Sequence, residues 1–368
     1  MKNRYNIVIG GYYGYKSMGD EAVLYSILSG IAKRLPGSRV TVLSRTPCSI
    51  PKISGIETAF KSRTNPLSVV SALLAADLYI SGGGSLLQDA TSKRSLSYYS
   101  ALLHLARLFR CKIFIYANGI GPVKSEKICK RALLTADIIS LRDPDSLALC
   151  QRLCGKKASP ILSADPIFAN TFSSKMSPFF DEKLPKKPYF LVSLRSIRGE
   201  NSVDIEKLSG VLRRLSKEGF FPVFVSMQDS FDLEISRRAA RLTNGISVQI
   251  KDAEELYFLL EKASFAIGMR LHFLLTAAIA GTPFVPLSYD PKIEGCLRAL
   301  GTFPSVSAFD FSEEELFSLI KIRRESFSKS DTEAACRRLR MLAEGDFDAV
   351  VSLLRSKEST AEKFYADT

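Results

Sequence analysis

Histidine is nearly missing from this chain: 368 residues carry only His104 and His272. Its seven cysteines (Cys48, Cys111, Cys129, Cys150, Cys154, Cys296 and Cys336) form no C-x-x-C pair and have no histidine beside them, so no zinc ligand set is spelled out. Their odd number and scattered spacing also argue against a disulfide framework, and reduced thiols are expected. Only Cys150 and Cys154 stand one helical turn apart. No apolar run approaches the roughly 18 residues of a membrane-spanning helix. Residues 1–9 lead straight into a strand without the apolar core of a signal peptide, so a cytoplasmic location is expected. The glycine-rich turns do not spell G-x-G-x-x-G, and no acid at the usual distance supports a dinucleotide. Neither a cofactor nor a metal is expected.

Positive charge, by contrast, is in excess: 51 Lys+Arg against 38 Asp+Glu leave +13, and the isoelectric point is near 9.4. A basic protein prefers polyanions, which fits nucleic acid, an anionic membrane face or phosphorylated substrates. The basic residues cluster in helix-like stretches, "KSEKICKR" (124–131), "SRRAAR" (236–241) and "CRRLR" (336–340), without interleaved aromatics or a recognition helix. Nucleic acid is therefore not an expected partner, and most of these residues read as solvated helix faces. Hydrophobic residues make up 46% of the chain, enough for two domains with full cores.

Short β-rich apolar runs alternate with helical patterns, as in βαβ units that build a parallel sheet. Strands are predicted at 5–10, 39–43, 77–82, 112–117 and 137–142, and after a break at 189–195, 221–226, 246–250, 265–269 and 283–288. A helix is predicted over 20–34, acidic at its start and ending before Pro36 and Gly37. Helical patterns over 312–322 and 332–357 close the chain. The break carries Ser, Pro and charge without a period. The expected class is α/β: two Rossmann-like domains in a GT-B-like arrangement with a central cleft. Their expected bounds are 1–172 and 189–368, the second including the terminal helices, with a linker at 173–188.

Ligands of such sheets bind outside the carboxyl ends of strands, so the turns there are the candidates. The first, "GGYYGYKSMGDEA" (10–22), could bring backbone amides to an anion, or its glycines could make a tight turn with Asp20 capping the helix. The second, "SGGGSLLQD" (81–89), sets Gly82, Gly83, Gly84 and Ser85 after a buried strand. Three adjacent glycines cost conformational entropy, so close approach of a ligand or of the other domain is expected there. "RDPDS" (142–146) puts Arg142 at a strand end, either to grip an anionic oxygen or to pair with Asp143 or Asp145. Arg195 in "SLR" and Arg270 and His272 in "GMRLH" end two further strands, and Lys292 in "SYDPKI" adds a cation. If the strand runs on through 272, Arg270 and His272 share a face; His272 could equally be a core residue bonding a carbonyl. His104, inside "ALLHLARLF", reads as structural.

Taken together, "GYYGYKSMGDEA", "ISGGGSLLQD", "GIGP", "LRD", "ADPIF" and "GMRLH" resemble the polysaccharide pyruvyl transferase family, in particular its CsaB-type bacterial members, over residues 5 to about 300. The resemblance implies a GT-B-like fold and transfer of the enolpyruvyl carbons of phosphoenolpyruvate to two hydroxyls of a sugar, giving a pyruvate ketal and phosphate. It further implies an N-acetylmannosamine-containing cell-wall polysaccharide precursor on a lipid pyrophosphate, peripheral contact with the inner face of the membrane, and a role in S-layer anchoring. Asn118 stands where the family more often has glutamine. Under this resemblance Arg270, Lys292 and one of Arg142 or Arg195 are expected to hold the carboxylate and phosphate of phosphoenolpyruvate. Residues 82–85 or the first-turn amides would assist, with His272 as acid and Asp20 as base or acceptor-orienting carboxylate. Phosphoenolpyruvate is then a substrate rather than a cofactor. Rival readings are a GT-B glycosyltransferase using a nucleotide sugar, and a non-catalytic protein binding anionic glycan or lipid.

Overall fold

A computed structural model of the chain describes residues 4–48, 50–89, 93–172, 184–197, 203–301 and 305–366, without the side chains of 291, 292 and 356–366. The chain divides into two compact units: Met1–Lys16, Asp20–Asn170 and Leu339–Thr368 form the first, and Ser17–Gly19 and Thr171–Arg338 the second.

The first unit is built on a parallel sheet of eight strands: β1 (Asn6–Gly10), β2 (Arg39–Ser44), β3 (Glu57–Ser62), β4 (Leu78–Ser81), β5 (Gly84–Leu87), β6 (Lys112–Ile120), β7 (Ile138–Leu141) and β8 (Ile161–Leu162). Their order is β3-β2-β1-β4-β6-β7-β8, with β5 pairing to β6. Helices α1 (Met18–Arg34), α2 (Pro66–Leu74), α3 (Lys93–Leu108), α4 (Glu126–Leu133) and α5 (Pro144–Cys154) connect them. Alternation along β1 serves both faces: Ile7 and Ile9 join the core that α1 covers, whereas Val8 joins the core under α2 and α3. Burial on both faces is why the central strands read as continuous apolar runs.

In the second unit β9 (Tyr189–Ser193), β10 (Phe221–Ser226), β11 (Ile246–Gln249), β12 (Phe265–Gly268), β13 (Phe284–Ser288) and β14 (Val306–Ser307) form a parallel sheet in the order β11-β10-β9-β12-β13-β14. Its helices are α6 (Ile205–Lys217), α7 (Asp229–Thr243), α8 (Ala253–Lys262), α9 (Leu271–Ala280), α10 (Pro291–Ala299) and α11 (Glu313–Ser326). Phe190, Phe224, Phe265 and Val285 anchor one continuous core with Leu208, Val211 and Ile320. The Met18 N–H donates to the Met227 carbonyl at 3.0 Å, inside this unit.

The terminal helices do not all belong to the second domain, as the sequence suggested. Helix α12 (Lys329–Ala366) counts with the first unit from Leu339 onward. Phe347, Val350, Leu353 and Leu354 enter the core beneath β1. Gly30 of α1 makes room for the Phe347 ring, which a methyl group there would strike. The buried Asp346 accepts hydrogen bonds from Ser140 (3.0 Å) and Ser163 (2.7 Å). Of the expected linker, residues 173–183 lie outside the described residues. Among the described residues no helix is long and apolar enough to cross a membrane.

Candidate active site

In each sheet the strand order reverses at one point, between β1 and β4 in the first unit and between β9 and β12 in the second. Such reversals open a crevice outside the carboxyl ends of the strands.

In the first unit the paired ends are Gly10 and Ser81. The chain's own side chains fill the space beside the turns that follow. A methyl group on Gly10 would strike the Tyr79 hydroxyl, and one on Gly11 or Gly82 would strike Tyr13. On Gly83 it would lie 2.8 Å from Val23 and 3.1 Å from Pro166. Internal packing is thus sufficient reason for glycine at 82 and 83, where approach of a ligand or of the other domain was the expectation. Gly84 differs: its φ of +98° requires glycine, and the nearest neighbour of an added methyl would be Asp20 Oδ1 at 3.6 Å. Asp20 lies within the first turn of α1, which begins at Met18, so it is not the N-cap.

Ser85 belongs to β5 and accepts from Arg142 Nη2 at 3.0 Å. Arg142 Nη1 donates to Asp165 Oδ2 at 2.7 Å, with side chains only 3% and 2% exposed. The pairing with Asp143 considered from sequence is not formed. Asp143 instead caps α5, accepting from the Ser146 N–H (2.7 Å) and hydroxyl (2.8 Å). The Asn118 side-chain amide is fully buried and donates to the carbonyls of Ser81 (3.0 Å) and Gly82 (2.8 Å), so it shapes the glycine turn from beneath. Arg63, missed in the sequence, is buried, donates to the Gly11 carbonyl at 2.9 Å and lies 4.5 Å from the Tyr98 ring centre.

In the second unit Ser193 and Gly268 are the paired ends, and an arginine stands two residues beyond each. Arg195 reaches Tyr289, donating from Nη1 to its hydroxyl, with the guanidinium 5.0 Å from the ring centre. Arg270 is the N-cap residue of α9, and its side chain is forked onto Asp232 of α7: Nε to Oδ2 at 2.9 Å and Nη2 to Oδ1 at 2.6 Å. Asp232 is fully buried. Burial pushes its carboxyl upward, against the hydrogen bond and charge of Arg270 and the charge of Arg195, which lower it.

β12 ends at Gly268 and α9 begins at Leu271, so the strand does not run on through 272, and the shared face that depended on it is not formed. The half-buried His272 ring packs against Gly19, where an added methyl would come within 2.6 Å of Cγ and 2.9 Å of Cβ. Lys292 is the second residue of α10; its side chain lies outside the described residues. His104 lies on the exposed side of α3. The structure thus joins Ser85 to Arg142 and sets Asp20 beside Gly84 in the first unit, and places Arg195 and Arg270 at the strand reversal of the second. Sequence reasoning missed Asp232, Tyr289 and Arg63. Asp165 stood within "ADPIF" without an assigned role. An acid in the first turn of a helix, like Asp232, cannot be told by pattern from one that complements the helix dipole.

A family model described as polysaccharide pyruvyl transferase matches residues 18–291. No curated protein sequence matches the chain. Among solved structures, Staphylococcus aureus MnaA with UDP is similar at a TM-score of 0.63 and 14% identity, over 91% of this chain and 94% of that one. UDP-GlcNAc 2-epimerase from Neisseria meningitidis bound to UDP-GlcNAc gives 0.61 and 10%, over 96% and 100%. Sucrose-phosphate synthase from Thermosynechococcus elongatus gives 0.56 and 12%, over 98% and 99%. At these identities the likeness concerns the fold, which is of the GT-B class.

Proposed function

Because the chain belongs to the polysaccharide pyruvyl transferase family, we propose that it transfers the pyruvyl group of phosphoenolpyruvate to two hydroxyls of one sugar in a cell-wall polysaccharide precursor. The acceptor in this reading is N-acetylmannosamine carried on a lipid pyrophosphate at the inner face of the membrane, where the +13 charge favours anionic surfaces. The ketal so formed would serve S-layer anchoring.

The observation that carries the reading is the pair of arginines at the strand reversal of the second unit. Phosphoenolpyruvate has a carboxylate at one end and a phosphate at the other, and guanidinium groups suit both. Arg195 and Arg270, with Lys292, hold these groups. Arg142 is the weaker candidate, since its buried guanidinium is already bound to Asp165 and Ser85.

His272 donates a proton to the methylene carbon, which becomes the methyl group, and the adjacent carbon becomes oxocarbenium-like. One sugar hydroxyl attacks that carbon and loses its proton to Asp20. Phosphate then leaves with the C–O bonding pair and takes the proton from Asp20, leaving a second oxocarbenium-like carbon. The second hydroxyl attacks that carbon to close the ketal, and its proton passes to His272, so both groups are restored. An imidazole, with an ordinary pKa near 6.5, can give and take protons at neutral pH. Incubation with phosphoenolpyruvate and a lipid-linked N-acetylmannosamine acceptor should release phosphate only when both are present, and a nucleotide sugar should not replace phosphoenolpyruvate. Sugar transfer from a nucleotide donor, with no phosphate from phosphoenolpyruvate, would assign the chain a different reaction.

A further inference from the structure

Each arginine at the strand reversal of the second unit is held by a partner that neither the motifs nor the family match points to. Asp232 is fully buried, and its two oxygens take the Nε and Nη2 edge of Arg270 at 2.9 and 2.6 Å. That edge is the one an arginine uses to grip a carboxylate or phosphate side-on. With it occupied, Arg270 meets a ligand through Nη1, for which the described residues provide no acceptor. Arg195 is fixed twice by Tyr289, through the hydroxyl and through the ring face. Its Nε and Nη2 likewise have no acceptor among the described residues.

A buried ion pair is a poor means of stabilising a fold, because desolvation offsets most of the attraction and apolar side chains would serve as well. Asp232 also accepts from the Gln228 N–H at 3.1 Å, which ties it to the start of α7. The carboxylate therefore sits at a fixed point of the helix and sets the direction of a cation on the neighbouring strand end. Balancing Asp232 against the two guanidinium groups leaves one net positive charge among these three side chains, before Lys292 is counted.

We propose that Asp232 and Tyr289 are the positioning residues of the anion site, Asp232 aiming Arg270 end-on and Tyr289 aiming Arg195. The proposal rests on the pyruvyl transfer described above for the identity of the anion, and on the geometry alone for the positioning. Both residues act through the arginines; neither is assigned a contact with the reacting atoms.

The test uses the full chain with Asp232→Asn and Tyr289→Phe. Asp232→Asn keeps the shape but loses the charge-assisted fork. It should raise KM for phosphoenolpyruvate about 10²-fold, as expected for a misplaced clamp, with a smaller change in kcat. Tyr289→Phe should raise it about tenfold, as expected for one lost hydrogen bond to a charged group. Combining Asp232→Asn with Arg270→Lys should be no worse than the poorer single variant. Unchanged KM in both single variants would overturn the proposal, as would full additivity in the double variant. A second readout is independent of turnover: the Arg270 Nε–H proton should exchange slowly with water in the wild-type protein. Rapid exchange there would overturn the Asp232 assignment even if that variant fails to fold. A wild-type protein that shows the slow proton but releases no phosphate from phosphoenolpyruvate would refute the reaction and leave the positioning intact.

Discussion

At the scale of the residue, His272 and Gly19 are packed as one unit. The imidazole lies so close to the Gly19 α-carbon that any side chain there must move the ring. Gly19→Ala should therefore depress turnover in step with the displacement of His272, with a small change in thermal midpoint; a wild-type rate would show that ring placement does not matter. His272→Gln should lower kcat about 10²- to 10⁴-fold if the imidazole is the proton donor, measured as phosphate release. The Arg142–Asp165 pair behaves differently because both partners are almost wholly buried. Asp165→Ala would leave a buried guanidinium without its counter-ion, and should cost about 3–5 kcal/mol in urea unfolding. The cationic residues of the second unit were legible in the sequence, since arginine at a strand's end stands out against apolar neighbours. Asp232 and Tyr289 were not, because their roles exist only through partners 38 and 94 positions away.

At the scale of the element, ten strands among the described residues were readable and four were not. The missed β3 is half-exposed or exposed throughout and shows no apolar run, and β8 is only the pair Ile161–Leu162, too short to register as one. β14 has only two residues, and β5 begins with a glycine and continues as a strand only because β6 pairs with it. The placement of α12 was equally hidden, because its apolar stripe says that it packs but not on which unit. Two observations fix it. Phe347→Ala should cost about 3–5 kcal/mol, by urea unfolding, since the ring fills the space over Gly30. Asp346 gives a pH signature: burial drives its carboxyl up from the ordinary value to about 7, with the Ser163 and Ser140 hydroxyls pulling it partly back. The folded chain then holds a proton that the unfolded chain has released between about pH 4 and pH 7. Stability contributed by this group must fall as pH rises through that window, by at most about 1.4 kcal/mol per pH unit, and level off above it. Asp346→Asn should remove that part of the slope; identical slopes in variant and wild type would contradict it.

At the scale of the whole molecule, the chain carries two parallel sheets, each with its own strand reversal. The first unit closes its reversal with tyrosines and holds Asp20 beside Gly84, whereas the second lines its reversal with cations. Family membership names the class of transfer; phosphoenolpyruvate as donor and N-acetylmannosamine as acceptor are the proposal that an assay must test. The most direct test is the mass of the product formed from labelled phosphoenolpyruvate and a panel of lipid-linked N-acetylmannosamine, glucose and galactose acceptors. The account predicts that the N-acetylmannosamine acceptor gains the mass of pyruvic acid less one water, with one phosphate released per label transferred. Acceptors that stay unchanged across the panel, or that gain a hexose from a nucleotide donor instead, would contradict it.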